Sequence, residues 1–321
     1  MAKIYIRDIR DLEKNITKVE GGLFMVQSCE AKVARNNKPF LSVMLQDKTG
    51  SLPTMIWDTN EIIAPGTIIK SDFNVENSTQ YGMQLKISGQ MFRVSVPSIM
   101  DFIQTSPNTA LSDVEKIAWL EQTIKECAVT PFETAILSAL FNTESFNRFI
   151  VWPAAVTHHG NYRVGLLDHT KKVVDQCIDW TWRYATEIKN MGAKIDEHLL
   201  KLGALLHDYA KIFEYSYVIE TGVISYNNEY NLRHLVEGVS KLSEAKGKYE
   251  TGHALTLEDR ILYWHLKRFM ITHHGYAAWG SSSGPENLEE VMLHLADLSD
   301  SGIMDIIQGN KPNYRTAPTG Q

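Results

Sequence analysis

Cysteine is scarce: Cys29, Cys127 and Cys177 are the only three, far apart and without a C-x-x-C pair. An odd, scattered set of thiols argues against both a disulfide framework and a thiolate zinc site, so they read as ordinary core or surface side chains. Long apolar runs are missing as well, since nothing approaches the roughly 18 residues that span a bilayer. The opening MAKIYIRDIRDLEKN is charged throughout and has no apolar centre of the signal-peptide kind. The expectation is a soluble, cytoplasmic protein with no membrane partner. Basic charge is not in excess either: the formal net charge is −6, which argues against a chain coated in Lys and Arg for nucleic acid. Histidine is absent before His158, and there is no internal repeat or low-complexity segment.

What is present divides in two. With 321 residues and 44% hydrophobic content, the chain is long enough for two domains with their own cores. Residues 1–100 carry 12 Lys and Arg against 10 Asp and Glu, whereas residues 101–321 carry 20 against 28 and all eleven histidines. An acidic, His-rich half suits cations better than anions. From Gly22 to Val94, alternating apolar and polar stretches broken by turn signals (NNKP, DKTG, APG, NSTQYG) predict five strands of a small antiparallel barrel, an OB-like fold. Beyond it no strand is expected. Ser112 with Glu115 reads as a capping box, and helices are predicted over 112–127, 131–142, 166–190, 196–213, 231–246, 256–273 and 285–308. The predicted organisation is a nucleic-acid-binding barrel over 1–97, a helical linker over 98–130, an all-α bundle over 131–310 and a disordered tail over 311–321.

The stretch LGALLHDYAKIFEY, Leu202 to Tyr215, is where chemistry enters. A helix that opens with aliphatic residues belongs in the core, yet it ends on His207 and Asp208 with Lys211 beyond. A buried ionised carboxylate is costly unless compensated, and a metal ion is the strongest compensation available. The two oxygens of Asp208 can bridge a pair of cations, and Lys211, one turn on, suits an anionic substrate such as a phosphate. His169, His234, His273 and Asp297 lie near the ends or in the middle of other predicted helices and complete a ligand-type set. Imidazole and carboxylate without thiolate favour Mn²⁺, Fe²⁺, Co²⁺, Ni²⁺ or Zn²⁺ over Ca²⁺. His274, at a helix end where the dipole also favours imidazole, reads as a supporting group, as do His294 and Asp300, one turn either side of Asp297. His198, His253 and His265 match no pattern and read as surface or packing residues.

The order His169, His207-Asp208, Asp297 resembles the HD-domain superfamily of metal-dependent phosphohydrolases. THHGNYRVGLLDHT, LLHDYAKI, the His234 helix, ITHHG and HLADLSD, all after an OB-like barrel, resemble the YhaM-type 3′-to-5′ exoribonucleases over nearly the whole chain. The resemblance implies His169, His207, Asp208 and Asp297 as ligands of one metal and Asp208, His234 and His273 as ligands of another. Two divalent ions are thus expected, Mn²⁺ favoured, with Fe²⁺, Co²⁺, Ni²⁺, Zn²⁺ and Mg²⁺ as alternatives. Asp208 and Lys211 would act in catalysis, and His158, His159 and Arg163 in substrate binding. The HH-x-Y-R-G-G-L-L-x-H-T run of that family appears here with an extra residue at Gly160-Asn161 and with Val164 in place of the first Gly.

In the barrel, Lys32, Arg35 and Lys38 share one hairpin and suit phosphate contacts, while Phe40, Trp57, Phe73 and Tyr81 are either base-stacking residues or core. The leading expectation is a nuclease that holds single-stranded RNA, or single-stranded DNA, in the barrel and cleaves it in the helical domain, with homo-oligomerisation left open. The alternatives are an HD-type phosphohydrolase of free or cyclic nucleotides, a non-catalytic nucleic-acid-binding module, and a di-iron oxygenase.

Overall fold

A computed structural model describes residues 3–78, 82–107, 110–156, 158–227 and 233–308. Tyr81 and the tail 311–321 lie outside the described residues. The chain divides into two compact units, Met1–Thr105 with Tyr217–Ser225, and Ser106–Ser216 with Tyr226–Gln321.

In the first unit, period-two burial builds a closed barrel from β1 (Lys18–Val33), β2 (Pro39–Asp47), β3 (Gly50–Trp57), β4 (Ile68–Ser78) and β5 (Gly82–Ile87). The strands neighbour in the order β1-β2-β3-β5-β4, β4 returns to β1, and β6 (Phe92–Val94) adds to β4. The closure between β3 and β5 is parallel, at Thr54 and Leu85, where the sequence pattern predicts antiparallel pairing throughout. β1 can serve two neighbours because its register shifts between Val19 and Gly22 on one side and between Val26 and Ser28 on the other. Gly21, at φ 59°, supplies the left-handed residue at the first of these bends. Leu41, Val43 and Leu45 of β2 point inward onto Phe24 and Phe73. A short helix not evident in the sequence pattern, α1 (Ile6–Arg10), adds Ile6 and Ile9 to that core, and its first amide donates to Asp47 Oδ2 at 2.7 Å.

The second unit is helical: α2 (Asp113–Cys127), α3 (Pro131–Leu140), α4 (Thr143–Phe149), α5 (Gly165–Arg183), α6 (Ala185–Asn190), α7 (Glu197–Leu206), α8 (Lys211–Glu214), α9 (Arg233–Glu250), α10 (Leu257–Thr272) and α11 (Leu288–Ile307). The capping box of Ser112 and Glu115 is present, and Thr130 with Glu133 makes another on α3. α7 is the central helix and packs on α2, α5, α10 and α11. Gly203 allows this, since a Cβ there would lie 2.6 Å from Phe269 Cε2 on α10. Arg268 of α10 grips Glu290 of α11 through Nε at 2.6 Å and Nη2 at 2.8 Å, a two-point bond that sets those helices against each other.

Two further expectations are corrected. The predicted helix over 196–213 is broken, because after Leu206 the backbone tightens into i→i+3 bonds, Tyr209 N to Leu206 O and Lys211 N to Asp208 O. And strands do occur past residue 100: β7 (Tyr215–Val218) and β8 (Val223–Tyr226) form a hairpin whose Tyr217–Ser225 portion groups with the barrel unit.

Candidate metal centre

The end of α7 delivers His207 and Asp208 to the centre of the helical unit, the first turn of α9 delivers His234, the end of α10 delivers His273 and His274, α11 delivers Asp297, and the first turns of α5 deliver His169. α5 starts abruptly because Val164 caps it in the left-handed region, at φ 72°. This is the position where the resembling family has Gly; a β-branched residue there carries backbone strain of order 1–3 kcal/mol. Asp168 N bonds back to Val164 O at 3.0 Å, so the strained residue fixes the turn that carries His169.

The imidazoles are all oriented the same way. Each uses Nδ1 outward: His207 to Ala204 O at 2.8 Å, His273 to Phe269 O at 3.0 Å, His274 to Trp279 O at 2.7 Å, His169 to Asp300 Oδ2 at 2.8 Å, and His234 to Glu214 Oε2. A carbonyl oxygen only accepts, so Nδ1 of His207, His273 and His274 carries the hydrogen and Nε2 keeps its lone pair. Those nitrogens converge on Asp208. Its Oδ2 lies 3.3 Å from His169 Nε2 and 3.4 Å from His207 Nε2; its Oδ1 lies 3.3 Å from His234 Nε2 and 3.6 Å from His273 Nε2. Asp297 Oδ1 is 3.1 Å from His169 Nε2. Two groups of possible ligands result, His169-His207-Asp208-Asp297 and Asp208-His234-His273-His274, sharing only Asp208.

The arrangement fits a pair of cations. Asp208 Oδ1 and Nε2 of His234 and His273 are buried without a hydrogen bond, an expensive state away from water. His169 and His207 bring Nε2 to within 3.3 Å of each other, which needs a shared proton or a cation between them. Burial pushes His207 down and His274 well down, keeping them neutral as ligands must be. Burial opposes ionisation of Asp208, yet the charge of Lys211 and the hydrogen bond of His169 outweigh it and hold the carboxyl well below its usual range. Asp297 is likewise held low against its burial, chiefly by His169. His169 itself is raised: burial disfavours its charge, but Asp208, Asp297 and Asp300 together prevail. The proton so retained sits where a cation would take its place.

Lys211 Nζ lies 2.6 Å from Asp208 Oδ2; burial pulls its pKa down, but Asp208 and Asp297 raise it, so it stays an ammonium. A cavity of about 250 Å³ opens over this group, lined by His159, Lys211, His274, His294, Asp297 and Trp279 among others. Of the residues expected to support the ligands, Asp300 holds His169, and His294 holds the end of α10 through Nδ1 to His273 O at 2.7 Å. His274, expected as a supporting group, stands in the structure beside Asp208, His234 and His273 as one of four possible ligands. His159 reaches the cavity, its amide fixed to Asp305 Oδ1 at 2.8 Å, while His158 is more exposed, with Nδ1 3.9 Å from Asp305 Oδ2. Arg163 pairs instead with Asp113 of α2 at 2.6 Å. His198 bonds Glu133 at 2.8 Å and His253 stacks on Tyr249, both away from the centre.

Residues 166–301 match the HD domain. The match indicates a metal-dependent phosphohydrolase acting on phosphoester bonds, and it spans every residue of the two ligand groups.

In the barrel unit, Phe73 is buried against Phe24 and is core rather than a stacking surface. Phe40 and Trp57 pair across β2 and β3 with ring centroids 4.9 Å apart, and Trp57 is 49% exposed. Lys32 and Lys38 are exposed but carry partners, Glu30 at 2.9 Å and Asp58 at 3.3 Å; Arg35 is exposed.

Sequence reasoning missed Glu214, Asp305 and Trp279. Glu214 receives both the amide and the ring of His234, 20 residues ahead, so no helical spacing could have paired them. It also missed a buried pair beneath α5, Lys116 Nζ to Asp168 Oδ1 at 2.8 Å, which draws α2 onto the turn preceding His169.

Proposed function

We propose that the protein is a 3′-to-5′ exoribonuclease that degrades single-stranded RNA at the HD centre, with Mn²⁺ the favoured ion. The observation that carries the reading is the division of Asp208, one oxygen to each ligand group, beside the ammonium of Lys211. Divalent ions in such a site supply Lewis acidity at a phosphoryl oxygen and a water-derived nucleophile at neutral pH. Lys211 adds a fixed positive charge where charge builds on the phosphate, and needs no reorganisation because Asp208 already positions it. His159, kept neutral by burial, offers a hydrogen-bonding group to the phosphate or leaving oxygen from the cavity wall. Polarity and the preference for RNA rest on the resemblance to YhaM-type enzymes, supported by an OB-like barrel on the same chain.

The test is incubation of end-labelled RNA and DNA oligomers with the full chain and each divalent metal in turn, resolved at single-nucleotide steps. Stepwise shortening of RNA from its 3′ end, dependent on metal, is expected. A second reading, hydrolysis of free or cyclic nucleotides, is favoured by the cavity volume of about 250 Å³, which suits a single nucleotide-sized group. Consumption of mononucleotides with oligomers left intact would establish it in place of the first.

A further inference from the structure

Next to the ligand groups, the segment after α10 turns back on itself as a compact shelf. Trp279 N bonds Tyr276 O at 2.9 Å, Gly280 N bonds Ala277 O at 3.0 Å, and Ser282 N returns to Ile271 O at 3.1 Å. Gly275, at φ 76°, lets the chain pass over His294, whose Nε2 would lie 2.6 Å from any Cβ placed there. The Tyr276 ring stands edge-on to the Trp279 indole at 4.8 Å and 84°, and also meets the His294 ring at 5.9 Å, so the indole is braced from one side. Trp279 lines the same cavity as Lys211 and Asp297. None of the metal-binding or phosphate chemistry uses this indole.

A partly exposed, braced aromatic beside a phosphate-type site has an evident complement, a planar ring carried on a phosphate. We infer that Trp279, held by Tyr276, stacks on the base of the terminal nucleotide whose phosphodiester lies at the HD centre. This rests on the phosphodiesterase reading for its ligand class and deepens it, because it makes the cavity a reader of strand ends. A volume of about 250 Å³ takes one nucleotide, and a duplex end would have to unpair before its base could reach the indole. Stacking tolerates all four bases, as shortening a strand of mixed sequence requires. The shelf is also tied to the ligands, since Trp279 O accepts from His274 Nδ1; that bond is made by the backbone and survives replacement of the side chain.

The experiment compares two RNA tetranucleotides, identical except that the 3′-terminal residue of one is abasic. Their binding to the full chain is measured by anisotropy with Mn²⁺ present and a non-hydrolysable bridging-methylene phosphonate in place of the last linkage, and cleavage of the unmodified oligomers is measured separately with Mn²⁺. The wild-type chain should bind the base-bearing oligomer roughly tenfold or more tightly. Trp279→Ala should bind both alike, and Trp279→Phe should restore most of the difference. Equal binding of the two oligomers by the wild type, or undiminished discrimination by Trp279→Ala, would overturn the inference. If discrimination follows Trp279 but neither oligomer is cut with any divalent metal, the stacking stands and the phosphodiesterase reading falls. If both are cut and no discrimination is seen, the reverse holds.

Discussion

Among the described residues, Asp208 is the one that both groups of possible ligands share. Asparagine keeps one acceptor oxygen but turns the other into a donor, so only one group can retain its shared ligand. Asp208→Asn should lower turnover by more than about a hundredfold and reduce bound metal below that of the wild type, read by elemental analysis beside a circular dichroism spectrum that shows the helices intact. Unchanged metal content would move the centre elsewhere. Glu214 works at one remove. Glu214→Ala leaves the His234 ring without its Nδ1 acceptor and should weaken one of two metal affinities by about 10 to 100-fold while sparing the other, a split that a two-site titration resolves. The side chains that the structure gathers as possible ligands, His169, His207, Asp208, His234, His273 and Asp297, could be singled out in the sequence because imidazole and carboxylate at the ends of apolar helices have few other uses. Which of two adjacent imidazoles faces inward was not. His273 and His274 both do, a matter of backbone turn after Thr272 that no spacing encodes.

At the scale of elements, the centre exists because α7 is closely approached by its neighbours. Gly203 sits where α10 crosses, and Gly203→Ala would press a methyl into the Phe269 ring on the helix that ends at His273. A loss of about 1–3 kcal/mol is expected, seen as a lowered Tm, and Phe269→Leu in the same chain should recover part of it. If Gly203→Ala raises Tm, the crossing is looser than described. Helix existence was mostly readable from apolar periodicity and capping boxes; helix breaks were not. The run 196–213 looks continuous because Leu205, Leu206, Tyr209 and Ile212 keep helical spacing, and all four are indeed buried. The break falls at His207 to Ala210, where site geometry overrides propensity. The hairpin β7-β8 escaped notice because strands of four residues are too short to show alternation.

At the scale of the whole molecule, the proposed reading gives the barrel a strand to hold, and its surface allows charge to be separated from stacking. For single strands, each phosphate that is no longer neutralised lowers the slope of log K against log salt by about 0.7. Lys32, Arg35 and Lys38 would give a drop near 2 if all three met phosphate freely. Two of them already have carboxylate partners, Glu30 and Asp58, so each must give up an ion pair before it gains a phosphate. The triple substitution of these residues by Gln should therefore flatten the slope by about 1 rather than 2, with Arg35 the larger part. Neutralising the competitors, Glu30→Gln with Asp58→Asn, should have the opposite sign and tighten binding of a ten-nucleotide RNA. Trp57 tests the other contribution: Trp57→Ala removes the exposed half of the Phe40–Trp57 pair and should weaken binding about tenfold with the slope unchanged, because stacking releases no counterions. Binding that is insensitive to all three changes, in affinity and in slope, would take the strand off this face of the barrel and leave hydrolysis of free nucleotides as the better account of the HD centre.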